Sequence, residues 1–143
     1  MTYEPPDLTL LGEEHVRRYR ETGGEVGYLW NGVPTLLLTT TGRRTGTERT
    51  TPLIFGRDGD DHLVVASMGG APRHPAWYLN LTAEAAATIQ VKADRFPVAA
   101  RTATAEEKPR LWRIMCEIWP NYDAYQARTD RDIPVVVLSP SPD

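Results

Sequence analysis

A run of apolar and β-branched residues, Leu36-Leu37-Leu38-Thr39-Thr40-Thr41, leads straight into a turn bracketed by Gly42 and Gly46. A second β-prone run leaves that turn through Thr47, Thr50, Thr51 and Leu53 to Phe55. Two such runs joined by a short glycine-containing loop predict a β-hairpin, with strands over 34–41 and 47–57. The hairpin constrains the fold, because strands joined by tight turns pair antiparallel and disfavour a parallel βαβ sheet. Its tip carries Arg43, Arg44 and Arg49 against Glu48, with threonine hydroxyls beside them. On the residues alone the tip reads either as a solvated basic turn or as a donor cluster. In the second reading, guanidinium forks, hydroxyls and glycine-freed backbone N–H groups hold phosphate or carboxylate oxygens.

The rest of the chain fits an α+β domain built around that hairpin. Residues 1–6 read as a loose arm, and 10–22 as a helix of mixed charge stopped by Gly23-Gly24. Residues 58–61 form a second turn into a strand over 62–67, which Gly69-Gly70-Ala71-Pro72 ends. A short helix follows over 75–81, then strands over 88–92 and 96–104, with Pro97 placing the latter at an edge. Thr104 and Glu107 have capping-box spacing, and Leu111, Ile114, Met115 and Ile118 repeat at the spacing of one buried helix face. Pro120 ends that helix, a further turn or two follows over 122–128, and 133–138 is a closing strand. The expected product is a single domain over 1–143, a small antiparallel barrel with helices packed outside it. Residues 1–24 form its arm and first helix, and 25–143 the barrel.

A net charge of −3 makes the arginine cluster a local exception and argues against nucleic-acid binding through a broad basic face. With one cysteine, Cys116, no intrachain disulfide or cysteine-rich metal site is expected. His15, His62 and His74 share no metal-ligand spacing and read as surface or capping residues. No apolar leader or membrane-length run is visible, so a soluble, cytoplasmic monomer is expected. Its mixed-charge first helix is either a solvated face, a pocket cover or a point of peripheral membrane contact. Trp119, Tyr122 and Tyr125 straddle Pro120 and either fill a core or wall a flat apolar pocket. Ser67, ending a strand before Met68-Gly69-Gly70, either caps that strand or offers its hydroxyl to a bound oxygen. No nucleophile elbow, P-loop or dinucleotide-binding glycine motif is present.

Taken in order, these segments resemble the deazaflavin-dependent nitroreductase family, split-barrel proteins that use reduced coenzyme F420. The resemblance is carried by Leu37 through Gly46, Arg49, Pro52-Leu53, Arg57-Asp58-Gly59 and Val64-Val65-Ala66-Ser67. It continues through Pro75-Ala76-Trp77-Tyr78-Leu79-Asn80-Leu81, Trp119-Pro120-Asn121-Tyr122, Tyr125-Gln126, Thr129-Asp130-Arg131 and Ile133-Pro134. It implies a small antiparallel split β-barrel of the FMN-binding type. The implied activity is an oxidoreductase passing hydride from reduced F420 to a flat electrophilic small molecule: a quinone, an enone or a nitroaromatic. By the same resemblance Arg43, Arg44, Thr45 and Arg49 hold the coenzyme's phosphodiester and anionic tail, with Met68 where relatives commonly carry lysine. Pro52, Leu53 and Ile54 run beside the deazaflavin ring with Ala66 and Ser67 near it, and Ala76 and Trp77 line the groove. Trp119, Tyr122 and Tyr125 close over the acceptor, and Ser67, Tyr122 and Tyr125 supply catalytic hydroxyls. The alternatives are a non-catalytic protein binding deazaflavin or an apolar ligand, and a split-barrel enzyme that uses FMN.

Overall fold

The computed structural model describes residues 3–141. Eight strands run β1 (Leu29–Trp30), β2 (Val33–Thr41), β3 (Glu48–Ile54), β4 (Gly56–Asp58), β5 (Asp61–Val65), β6 (Ala86–Val91), β7 (Asp94–Thr102) and β8 (Val135–Pro140). Four helices join them: α1 (Gly12–Thr22), α2 (Ala76–Ala83), α3 (Lys108–Ile118) and α4 (Asn121–Ala127). All pairings are antiparallel, in the order β1-β2-β6-β7-β8-β5-β4, with β3 added on β2. The expected hairpin is present, Leu38 standing opposite Thr51 and Thr41 opposite Glu48.

The second hairpin strand is not continuous to residue 57. At Phe55 the chain leaves β2 and re-pairs with β5 as β4, so segments one residue apart lie at opposite ends of the sheet path. The sheet must therefore curl back towards itself, which is the expected antiparallel split barrel. Gly56 permits this crossing, because a Cβ there would lie 2.8 Å from Met115 Sδ on α3.

Period-two alternation sends alternate residues of β5 and β8 to two cores. Val64, Val136 and Leu138 join Leu36, Leu38, Ile89 and Trp77 inside the barrel. Leu63, Val65, Val135 and Val137 pack outward beneath Leu111 and Met115 of α3 and Tyr122 and Tyr125 of α4. Both legs of the capping box form, Thr104 N donating to Glu107 Oε2 at 2.8 Å and Glu107 N to Thr104 Oγ1 at 3.3 Å. The helix itself begins at Lys108, after that turn, so Pro109 falls in its first turn, where its missing N–H costs nothing.

Several expectations are corrected. Pro97 is not at the start of an edge strand: β7 begins at Asp94, and Pro97 stands opposite Thr88. It is tolerated because β8 pairs with β7 only from Val98 onward. The described part of the arm is tied down, since Glu4 N donates to Asn121 Oδ1 and Asn121 Nδ2 to Glu4 O; residues 1 and 2 lie outside the described residues. His15 and His62 are buried, not surface groups, with 2% and 4% of their area exposed. The first turned inward because it faces a cavity described below, the second because β5 carries it between the rings of Phe55 and Phe96, 5.4 and 5.8 Å away.

His62 has a consequence for stability. Its Nδ1 is fully buried without a partner, and burial, aided by Arg57, pushes its pKa below the ordinary 6.5. The unfolded chain therefore takes up a proton that the folded chain resists. The stability conferred by neutral His62 is complete above pH 6.5 and is lost as pH falls through the depressed folded value. Melting temperature is expected to decline between pH 7.5 and 5, and His62→Phe, which keeps the ring between its neighbours, is expected to flatten that decline. An unchanged slope in His62→Phe would assign the acid sensitivity to other groups.

Candidate active site

Two adjoining depressions open beside the hairpin. The first, about 720 Å³, is framed by Arg43, Arg44, Thr45 and Arg49 of the hairpin, Arg20 and Glu13 of α1, and Ala76, Trp77 and Asn80 of α2. Four arginines face two glutamates there, Glu13 and Glu48, and most of the tip residues are exposed. Gly42 N donates to Thr47 O at 2.8 Å and Gly46 N to Gly42 O at 2.8 Å, which closes the turn. A Cβ on Gly42 would sit 2.8 Å from that same Thr47 oxygen, so the closure requires glycine.

Sequence reasoning gave Asn80 no role of its own. Nearly buried at 3% exposure, its Oδ1 accepts from Arg43 Nη1 at 2.9 Å and from Arg43 N at 3.2 Å. Its Nδ2 donates to Thr40 Oγ1 at 3.1 Å. One amide thus fastens α2 to the strand and aims the Arg43 fork, leaving the other guanidinium N–H groups free for an anion. The only signal in the sequence was a polar residue amid the apolar α2 stretch.

The second depression, about 440 Å³, is apolar and carries no Asp, Glu, Lys or Arg in its wall. Pro52, Leu53 and Ile54 of β3 form one side, and Ser67, Met68 and Trp77 another. Trp119, Tyr122 and Tyr125 form a third, joined by Leu11, His15 and Trp30, which sequence reasoning did not place there. Thr51 and Trp77 belong to both depressions, so they form one groove with a cationic end and an aromatic end. Of the expected site residues, only Ala66 stands apart: it is 0% exposed and packs in the barrel core behind Ser67.

Pro120 breaks the chain between α3 and α4, which lets Trp119 fold back so that its Nε1 donates to the Tyr125 hydroxyl at 3.3 Å. Trp30 packs against Trp119 with centroids 5.5 Å apart and the ring planes tilted by 42°. Tyr122 is 4% exposed, and burial pushes its phenol well above the ordinary range. Its hydroxyl makes no hydrogen bond to a described residue, and the side chain lines the cavity wall.

The loop holding Ser67 and Met68 is set by Arg131. Its Nη2 donates to Ser67 O at 2.8 Å, its Nε to Ala71 O at 2.8 Å and its Nη1 to Ala66 O at 3.2 Å, with His74 Nδ1 3.1 Å from Nη1. Gln126 completes the brace, donating to Arg131 O at 2.7 Å and accepting from Ile133 N at 2.9 Å. Ser67 spends its carbonyl on this brace and keeps its hydroxyl. Met68 lies in the left-handed region at φ 46° and is 48% exposed at the rim, so it adds no cation to the groove.

The donor set fits a molecule with a flat ring system and an anionic tail. Four arginines and their neighbouring hydroxyls suit phosphate and carboxylate oxygens, and the charge-free aromatic end suits a planar ring. Among the described residues no cluster of histidine, cysteine and carboxylate groups suited to a metal is found, and no helix is long and apolar enough to cross a membrane.

Comparison with known proteins agrees with this geometry. The family model of F420H2-dependent quinone reductases matches residues 11–140. An F420H2-dependent quinone reductase of Mycobacterium tuberculosis is 47% identical over 129 residues, covering 87% of each chain. A solved F420-H2 dependent reductase, FDR-A, is 37% identical with a TM-score of 0.69, over 74% of this chain and 94% of that one. Another solved relative, described as a domain-swapped dimer, is 34% identical with a TM-score of 0.72, over 89% of this chain and 95% of that one. The resemblance read from the sequence is thus borne out, and the chain belongs to the F420H2-dependent quinone reductase family.

Proposed function

We propose that this protein catalyses hydride transfer from reduced coenzyme F420 to a quinone, with both molecules held in the single groove described above. The family is F420H2-dependent, so the chain is an oxidoreductase and F420 is its cofactor. The observation that carries the assignment of the groove is its polarity: a cationic end meets a charge-free aromatic end at Thr51 and Trp77. Arg43, Arg44, Thr45 and Arg49 would hold the coenzyme's anionic tail, while Pro52, Leu53, Ile54, Ala76 and Trp77 border its ring. Bound reduced F420 supplies a hydride from its deazaflavin ring, a two-electron step.

The protein's own contribution is largely positional. The aromatic wall of Trp119, Tyr122 and Tyr125 excludes water and presents a flat acceptor to the ring in reacting order. Ser67 and Tyr122 offer neutral hydroxyls to the acceptor oxygen on which negative charge builds up. Met68 occupies the rim as an apolar residue beside the acceptor.

Two further expectations receive no support. Peripheral membrane contact through α1 gains nothing from its ion pairs, since Arg17 bonds Glu14 and Glu21 within the helix and Arg20 turns to Thr50. Self-association in one relative leaves the expected monomer without backing from that relative.

Steady-state oxidation of reduced F420 with menadione, an enone and a nitroaromatic tests this reading. Turnover with menadione is the expected result; coenzyme binding without turnover of any acceptor would favour the non-catalytic carrier. Tyr122→Phe is expected to lower kcat by about 100-fold, as the loss of one oxyanion donor does, with coenzyme affinity retained. Kinetics equal to wild type would make Tyr122 a packing residue.

A further inference from the structure

Reducing a quinone to a hydroquinone takes a hydride and a proton, and the hydroxyls considered so far are poor sources of the proton. Burial holds the Tyr122 phenol above its ordinary range, and Ser67, Thr35 and Thr51 are alcohols. The cavity wall contains no carboxylate, ammonium or thiol, and one imidazole, that of His15. Imidazole is the side chain that gains and loses a proton near neutrality.

The seat of His15 is built. The first turn of α1 carries it inward, 2% exposed, with its ring centroid 6.4 Å from that of Tyr19. Its Nε2 lies 2.8 Å from Gly27 O, and because a carbonyl only accepts, the proton at that position belongs to Nε2. Gly27 is required there: its φ is +100°, and a Cβ would lie 2.9 Å from His15 Cδ2 and 3.0 Å from Nε2. The Nε2–Cδ2 edge is therefore packed against the backbone, and the opposite edge, with Nδ1, is the one left to line the cavity. Among the described residues Nδ1 has no hydrogen-bond partner, and it is not one of the fully buried orphan atoms, of which His62 Nδ1 is the single case there. Tyr19, on the same helix, packs against the ring, and the other titratable groups in the cavity wall are the phenols of Tyr122 and Tyr125 on α4.

We propose that His15 is a catalytic residue that donates the proton from Nδ1 to an oxygen of the bound quinone. In this step the Nδ1–H bond of the imidazolium breaks, its electron pair stays on nitrogen, and an O–H bond forms on the quinone. The two electrons come with the hydride that the reduced coenzyme gives up, so quinone, hydride and proton together make the hydroquinone. Imidazole then recovers its proton from water. Gly27 O fixes the orientation, as a hydrogen-bond partner on the far nitrogen does in other acid–base histidines.

This inference rests on the quinone-reductase reading, and its test separates the two. His15→Gln keeps an N–H for Gly27 O but cannot titrate. In His15→Gln, kcat for menadione is expected to be on the order of 100-fold lower, with F420 affinity unchanged. Imidazole NMR of the coenzyme-free wild-type protein adds a readout that needs neither turnover nor a variant. Menadione should shift the His15 resonances saturably and leave those of His62, buried in the barrel, in place. A His15→Gln enzyme within twofold of wild type would overturn the proposal alone, as would menadione binding without any shift at His15. Wild-type protein that binds F420 yet reduces no quinone would overturn the reading beneath it.

Discussion

Arg43→Ala is expected to weaken F420 binding by between roughly tenfold and a hundredfold, the loss of one charge-assisted contact to an anionic group. Arg43 is singled out from the other cations because its guanidinium is already oriented. Asn80 Oδ1 accepts from both its Nη1 and its backbone N–H, and Asn80 is itself nearly buried and held to Thr40. A side chain fixed before binding loses less freedom when the anion arrives. Arg44 and Arg49 are exposed, and their side chains make no hydrogen bond to a described residue, so their alanine variants should cost less. All three losses should shrink as salt rises, because exposed charges are screened. Arg43→Lys keeps the charge but not the fork, and an intermediate affinity is expected. Fluorescence titration of the coenzyme at two ionic strengths measures each of these. Affinity unchanged in Arg43→Ala would remove the hairpin tip from the binding site.

Arg131→Met should be the most damaging substitution outside the cores. It removes the donor shared by the carbonyls of Ala66, Ser67 and Ala71, of which, among the described residues, Ser67 O alone keeps a second donor, the Gly70 N–H at 2.9 Å. Desolvation holds the Arg131 pKa below its ordinary value, a sign that the guanidinium sits partly out of water. Leaving such acceptors unpaired costs about 1–3 kcal/mol each, reduced where water reaches them, so a loss of about 3 kcal/mol is expected. Urea denaturation reads this directly. The loop also carries a backbone that tolerates little rearrangement. Gly70 lies at φ +84°, where a Cβ would meet Tyr125 O at 2.6 Å, and Met68 is left-handed. Loss of the brace should therefore displace Ser67, lowering kcat more than it raises the coenzyme Kd. An Arg131→Met variant as stable as wild type would show that the other contacts of the loop, such as Arg128 Nη1 to Gly69 O at 3.1 Å, suffice.

How far the sequence could be read follows from the range of each interaction. The β2–β3 hairpin, the α3 face and the capping box were legible because each is set by residues close together in the chain. The split at Phe55 was not, because it depends on α3 packing over Gly56 from some sixty residues away. The same limit hid β1, two residues long and paired at the mouth of the barrel. It also hid the burial of His62, whose neighbours Phe55, between β3 and β4, and Phe96, on β7, are brought together only by the fold. At the groove, the residues carried over by resemblance came together, apart from Ala66. What escaped were supporting groups: Asn80 behind Arg43, Arg131 behind Ser67, and Trp30 beside Trp119. His15 escaped for a plainer reason. A lone histidine among Glu13, Glu14, Arg17 and Arg18 looks like part of a solvated face, and only the turn through Gly27 makes that side of α1 an inner wall.

The central claim, that one groove holds F420 by its cationic end and exposes it to a quinone at its aromatic end, is tested most directly by titrating the protein with F420 in both redox states and then adding menadione. The coenzyme's own fluorescence serves as the signal. The account predicts saturable binding that weakens with salt, followed by oxidation of the bound reduced coenzyme once menadione is present. Failure of either redox state to bind, or bound reduced coenzyme that stays reduced with menadione in excess, would contradict it.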